Sequence, residues 1–248
     1  MDSIVFYFSP TGGTRKVAEH IAEYLGCGAA DITSEAEMIG CDVDKDRLAV
    51  FCVPVYGGRI PKPMHDRMKH IEGHGGPAIA VAVYGNRSAG DAVAELKEVV
   101  EKSKFVVTAA CEMIAPHSLA PEYGKGRPDA KDLELLKGFL ADVTSRTSFR
   151  SVTSVPKMSK RLVSVQAPVR PVSGIACVGC GMCYENCPAG AINEKHLTRT
   201  NYLKCIGCMR CVSVCTSGTR KIPMADKLAA KALLRRSAST RKEPKFFL

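Results

Sequence analysis

The chain has 248 residues, 46% hydrophobic and 24% charged, a globular composition that excludes a mostly disordered chain. No apolar run nears the roughly 18 residues of a membrane-spanning helix, and Met1-Asp2-Ser3-Ile4 lacks the basic start of a secretory signal; a cytoplasmic protein away from membranes is expected. The formal net charge of +10 is lopsided, with −3 on residues 1–150 and +13 on residues 151–248. So are the cysteines: eight of twelve lie between Cys177 and Cys215, and in a reducing compartment such clustering points to metal more than to disulfides.

In chain order, Ile4–Phe8 reads as a short apolar strand, followed by a weaker one at Ala29–Thr33. Leu48–Val55, Ala78–Tyr84 and Phe105–Ile114 are continuous Val- and Ile-rich runs, the signature of strands buried on both faces of a parallel sheet. Helix-period segments separate them at Thr14–Leu25, Lys62–Ile71, Asp91–Lys102 and Asp129–Val143. Five strands alternating with helices predict an α/β, doubly wound, five-stranded parallel sheet over residues 1–146.

Residues 147–173 lose periodicity and read as an extended linker, able to dock the C-terminal half or to let it swing. Residues 174–222 hold an internal repeat. Past Pro223, residues 223–248 form a basic tail with a helix whose shared face is Ala225, Leu228, Ala229, Ala232 and Leu233, fraying from Arg235 onward.

The repeat is C-x2-C-x2-C-x3-C, twice: Cys177, Cys180, Cys183 and Cys187, then Cys205, Cys208, Cys211 and Cys215, with matching positions 28 residues apart. Three cysteines so close wrap one cubane, while the fourth serves the other. The spacing therefore assigns Cys177, Cys180, Cys183 and Cys215 to a first [4Fe–4S] cluster, and Cys205, Cys208, Cys211 and Cys187 to a second. Two structural zinc sites are the competing reading, but zinc favours cysteine pairs over triples with a remote fourth. The repeat resembles bacterial two-cluster ferredoxins, which implies a small α+β module carrying single electrons. Thr216, where the first copy has Pro188, departs from the symmetry and adds a backbone donor beside the first cluster.

After the first strand, Ser9-Pro10-Thr11-Gly12-Gly13-Thr14 opens a helix and offers a phosphate its hydroxyls, N–H groups and a helix N-terminus. There is neither a G-x-G-x-x-G after this strand nor a Walker loop. The S-x-T-G-x-T pattern resembles the FMN phosphate loop of flavodoxins. The resemblance implies strand order 2-1-3-4-5 with the flavin at the carboxyl ends of the strands. It also brings two more loops to the ring, Tyr56-Gly57-Gly58-Arg59 and Tyr84-Gly85-Asn86-Arg87. Gly57-Gly58 can adopt positive φ, and Arg59 or Arg87 would favour an anionic reduced flavin. With no Trp in the chain, tryptophan stacking on the ring is excluded.

Cys27, Cys41, Cys52 and Cys111 stand isolated, and the last two, in strand runs, read as small hydrophobes. His65, His70 and His74 lack a metal pattern, and His117 with Glu122 reads as a surface loop within reach of a cofactor.

Taken whole, the chain resembles the flavodoxin–ferredoxin fusion family. That implies an electron-transfer protein passing single electrons between two clusters and FMN, with no catalytic residue of its own. A flavin-dependent reductase fed by the clusters is the alternative, and a nucleic-acid module is disfavoured because no aromatics interleave the basic residues. Two cubanes contribute about −4 and an FMN phosphate about −2, so the loaded protein stays basic and suits acidic redox partner proteins. Docking of the basic half on the acidic half is expected to weaken with salt, and a homodimer that docks across chains is equally allowed.

Overall fold

The computed structural model describes residues 1–34, 41–159 and 169–248; part of the predicted linker, 160–168, lies outside them. The main elements are β1 (Ser3–Tyr7), α1 (Gly13–Leu25), β2 (Ala29–Asp31), β3 (Leu48–Pro54), α2 (Lys62–Met68), β4 (Pro77–Tyr84), α3 (Ala92–Lys102), β5 (Val106–Ile114), α4 (Ala130–Thr144), α5 (Met182–Glu185), α6 (Arg210–Ser213), α7 (Met224–Ala238) and β6 (Lys245–Phe247).

Strands β2-β1-β3-β4-β5 run parallel in that order, with β6 added antiparallel to β5. Every residue of β3 and β4 is buried, because α1 and α4 cover one face of the sheet and α2 and α3 the other. The layer with α2 and α3 is pinned by aromatics: Phe6 stacks on Phe51 at 5.3 Å and Phe51 meets Phe105 edge-on at 5.1 Å. This is the flavodoxin-like α/β architecture, and its switch point between β1 and β3 leaves a crevice at the carboxyl ends of the strands.

Four expectations are corrected. Among the described residues the sheet has six strands, the sixth formed by the tail in place of the expected fraying. In β6, Phe246 pairs with Cys111 and packs 5.0 Å from Phe139, so three residues suffice because the edge of β5 supplies the template. Helix α2 ends at Met68, and Ile71–Glu72 instead pairs with Cys41–Asp42 as a short parallel ladder. The start of the linker is not free: the Val152 N–H donates to Val107 O at 2.8 Å, and Val152 and Val155 are buried in the core beside the sheet.

The face of α7 is the fourth. Ala225, Leu228, Ala229, Ala232 and Leu233 are exposed, and the helix instead buries Ala230, Leu234 and Ala238. An i, i+4, i+8 row of two alanines and one leucine is a narrow contact, chosen by what the helix lies on: Ala120 and Tyr123 in the loop after β5.

Candidate redox site

The cysteine module builds upward from tight turns. Gly179, Gly181, Gly207 and Met209 all hold positive φ, so that short helices α5 and α6 start inside each cysteine run. Backbone N–H groups then face sulfur: Ala191 N–H to Cys187 at 3.2 Å, Gly207 N–H to Cys205 at 3.4 Å and Arg220 N–H to Cys215 at 3.4 Å. Such donors stabilise thiolates bound to iron. Thr216, the departure from the repeat, brings its hydroxyl to 3.8 Å from Cys180.

The two cysteine sets differ in surroundings. Cys187, Cys205, Cys208 and Cys211 together line one small cavity with Ile192 and Met209. Burial pushes the Cys205, Cys208 and Cys211 thiols up, so this set needs its metal to hold them as thiolates. Among the described residues no three ligand side chains sit close enough to share a single ion. In the other set Cys180 is exposed, Cys177 and Cys215 are half-buried, and Cys183 alone is buried. The Cys215 thiol is drawn down to about 7 by the Arg220 N–H and the hydroxyls of Ser217 and Thr219. One set thus faces solvent and the other faces inward.

Above the carboxyl ends of the strands lies a cavity of about 490 Å³, within the range of cofactor sites. Its lining includes Ser9, Thr11, Gly13 and Thr14 from the β1–α1 loop, Tyr56 and Gly57 after β3, and Tyr84, Gly85 and Arg87 after β4. Gly12 caps α1 at φ +87°, a left-handed conformation that glycine adopts without a Cβ penalty. Ser9 accepts the Arg15 N–H through Oγ at 2.9 Å. Among the described residues, the N–H groups of Thr11, Gly12, Gly13 and Thr14 donate to no protein acceptor. Four free donors at the start of a 13-residue helix, with two threonine hydroxyls, fit a phosphate.

Tyr56-Gly57-Gly58-Arg59 is a two-residue turn closed by Tyr56 N–H to Arg59 O at 2.9 Å, with both glycines at positive φ. Gly85 lies so close to His117 that a Cβ there would come within 2.7 Å of it. Burial pushes the Tyr84 phenol up to about 12, keeping it a neutral wall.

Three predicted ring contacts go elsewhere. Arg59 does not line the cavity; it holds Glu95 with two bonds of 2.8 and 2.9 Å. Burial pushes the Glu95 carboxyl up, but hydrogen bonds from His65, Arg59 and the Ile60 N–H outweigh it and hold the group at about 2. Asn86 is buried and its amide donates to Ala238 O at 2.7 Å and Thr240 O at 2.9 Å. It holds the C-terminal tail. Gly58 is likewise outside the cavity lining, stacked against Gly90.

The sequence reading missed a whole wall of the cavity. Ala230, Leu233, Leu234 and Ser237 of α7 line it, with Val169 from beyond the linker and Gly207 from the second cysteine run. No local signal announces these, because they reach the cavity only through the docking of distant segments. His117, read as a loop residue, lines it too. Its Nδ1 accepts the Leu119 N–H at 3.2 Å, and burial, helped by Arg87, pulls it down to about 4.

The docking itself is polar at the edges and apolar within. Arg67 donates to Pro188 O at 3.2 Å, Arg210 donates to Pro10 O at 3.1 Å, and Ile206 packs against the sheet core. Gly207 therefore sits both between Cys205 and Cys208 and on the cavity. Burial pushes the phenol of Tyr56, another residue of the cavity wall, well up, with the Cys208 thiol a smaller cause.

This geometry sets two expected results. Thr14→Ala removes a buried hydroxyl donor worth about 1.5–3 kcal/mol to a charged phosphate, so it should weaken FMN far more than riboflavin, as read by flavin fluorescence titration. For His117, a folded value near 4 lies below the unfolded value of about 6.5. Protonation therefore favours the unfolded chain, and stability is lost as the pH falls through 6.5. Against His117→Asn, the native protein should lose about 1–2 kcal/mol between pH 7 and pH 5, reduced from the full linkage because the ring is only half-buried. Denaturant midpoints at the two pH values check it.

Residues 176–219 match the 4Fe-4S dicluster domain family. No curated protein matches the chain. Among solved structures it is similar to a flavodoxin of Streptococcus pneumonia TIGR4 (18% identity, 58% of this chain and 98% of that one, TM-score 0.43). It is also similar to a flavodoxin from the domain Archaea (17%, 58% and 96%, 0.39), and to a short-chain flavodoxin associated with a bacterial microcompartment (16%, 60% and 100%, 0.40). Among the described residues no helix is long and apolar enough to cross a membrane. Residues 176–219 are thus a 4Fe-4S dicluster segment docked against a flavodoxin-like α/β sheet.

Proposed function

We propose that this chain is an electron relay in which two [4Fe–4S] clusters exchange single electrons with one FMN. The observation that carries the proposal is the position of Gly207. It lies between Cys205 and Cys208 and lines the same cavity as the phosphate loop. The inward set, Cys187, Cys205, Cys208 and Cys211, would hold the cluster next to the flavin. The solvent-facing set, Cys177, Cys180, Cys183 and Cys215, would hold the cluster that meets outside partners.

FMN, when bound, couples one-electron and two-electron chemistry. The protein's part is to hold and shield it. Thr11, Thr14 and the free N–H groups of residues 11–14 would take the phosphate. Tyr84, Leu119 and the α7 leucines supply an apolar surround for the ring, and Arg87 the positive charge beside it. His117 stays neutral at physiological pH, so it neither adds charge nor delivers a proton without cost.

The basic ferredoxin half favours acidic redox proteins as partners, by attraction that speeds encounter. The alternative, a reductase acting on a small molecule, finds less support because α7 walls the cavity with Leu233 and Leu234. The test is composition: protein prepared without oxygen should carry about eight iron, eight sulfide and one FMN per chain. Zinc in place of iron, or a flavin-free protein that does not take up FMN, overturns the proposal.

A further inference from the structure

The largest fully buried side chain of the described residues is an arginine, Arg220, 1% exposed. It lies in the second half of the cysteine module, five residues past Cys215. Its surroundings are unusual for a cation. The guanidinium donates through Nη1 to Leu197 O at 2.6 Å and Ser173 Oγ at 3.2 Å, and through Nη2 to Thr200 Oγ1 and to Pro171 O at 3.4 Å. All four are neutral oxygens. Its Nε is buried with no hydrogen-bond partner, and among the described residues no carboxylate pairs with it.

A buried, unpaired guanidinium is costly, because nothing offsets the loss of hydration. Arginine cannot escape by shedding its proton. The negative charge that answers it must come from elsewhere, and among the described residues the other groups in reach are sulfurs. Nη1 lies 4.0 Å from Cys183 Sγ, and the Arg220 backbone N–H donates to Cys215. Both belong to the solvent-facing set. Cys183 in turn packs in one buried cluster with Ile192, Cys211 and Cys187, and the last two belong to the inward set. Arg220 thus lies beside Cys183 where the sulfurs of the two sets meet.

On the reading that both sets hold clusters, we infer that Arg220 is the shared counter-cation of the two, a positioning charge that raises both reduction potentials. Each cubane with its four thiolates carries about −2 when oxidised and about −3 when reduced. Adding one electron to either cluster thus increases its attraction to a fixed positive charge in a dry site, and no proton moves. The four neutral oxygens orient the fork between the sulfurs without neutralising it. A carboxylate in their place would cancel the effect. The lone Nε completes the picture: the site is built around the charge, not around satisfying every donor.

The test is the potential of each cluster, read by EPR-monitored titration with dithionite as reductant in the full chain loaded with iron, sulfide and FMN. Arg220→Gln should make reduction of both clusters at least about tenfold less favourable, or about 59 mV for a one-electron couple. Arg220→Lys, which keeps the charge, should recover most of that shift, which lost packing alone would not allow. A loaded Arg220→Gln protein with either potential unmoved overturns the shared role.

If Arg220→Gln does not retain iron, native protein grown with guanidino-15N arginine takes its place. Both reduced cluster signals should then show nitrogen couplings that vanish in Arg220→Lys. Couplings that persist there overturn the inference. Native protein that holds no iron at all would instead overturn the cluster reading on which it rests.

Discussion

Replacing Asp132 by alanine is expected to destabilise the loaded protein by about 3 kcal/mol, the low end of the cost of stripping a buried charge of its partner. Asp132 is fully buried, and it takes both Arg127 donors, the Asp129 N–H at 3.0 Å and Arg241 Nη2 at 3.3 Å. Its loss leaves Arg127, 6% exposed, facing only Asp129 at 3.7 Å and the Lys242 carbonyl at 2.9 Å. It also dissolves the capping box that starts α4, in which Asp129 and Asp132 each accept the other's N–H. The damage should not stay local. Arg241 and Lys242 belong to the segment that joins α7 to β6, so freeing them loosens the helix that walls the cavity. Chemical denaturation should therefore show lower stability, and flavin titration weaker FMN binding, in the same variant. Arg241→Ala, which removes a surface partner at the same carboxylates, should cost well under half as much. Equal effects of the two would mean that the buried pair is not what anchors the tail.

How legible this molecule is in its sequence depends on distance along the chain. The five parallel strands were readable because burial on both faces demands unbroken runs such as Pro77–Tyr84, and the helices between them because each keeps one period. The cysteine repeat was readable because its ligands lie close in sequence and their spacing is set by the size of what they hold. Loops were legible in kind but not in detail. Tyr56-Gly57-Gly58-Arg59 is the turn its glycines imply, yet Arg59 is claimed by Glu95, 36 residues on, and Asn86 by carbonyls more than 150 residues on. Neither partner leaves a mark near the residue it captures. The tail was the hardest. Helix α7 shows a broader apolar stripe on the face it exposes than on the face it buries, and β6 is three residues long. Both take their places from surfaces already built by the sheet, and only the finished tertiary structure specifies them. Arg220 is the same lesson within one module: one arginine among seventeen basic residues past 150, it carries no sequence sign that it is buried against sulfur.

If the relay runs as proposed, losing the inward cluster should disconnect the flavin while losing the outer one should only change how electrons arrive. Cys208→Ser is the sharper of the two perturbations. Cys208 is buried, lines the small cavity shared with Cys187, Cys205 and Cys211, and follows Gly207, which lines the cavity at the strand ends. A serine there exchanges a soft thiolate for a hard alkoxide that must be formed without water, so the cluster should be lost or crippled. FMN should still bind, because its phosphate loop is built by β1 and α1, not by the cysteine run. Electron transfer falls steeply with distance. With the inward cluster gone, the outer one would have to reach across the space it occupied, and reduction of FMN by a donor that reacts with the clusters should slow by orders of magnitude. Salt separates the internal step from the external one. The halves are joined by Ile206 in the sheet core, by Arg67 and Arg210 on backbone carbonyls, and by α7 and β6, contacts that screening barely touches. The expectation that salt would loosen the docking therefore moves outward: raised salt should slow delivery from an acidic donor protein and leave the cluster-to-flavin step unchanged, as stopped-flow traces at two salt concentrations would resolve. Flavin reduction as fast in Cys208→Ser as in the native chain would show that electrons reach FMN without the inward cluster, and the relay would be wrong.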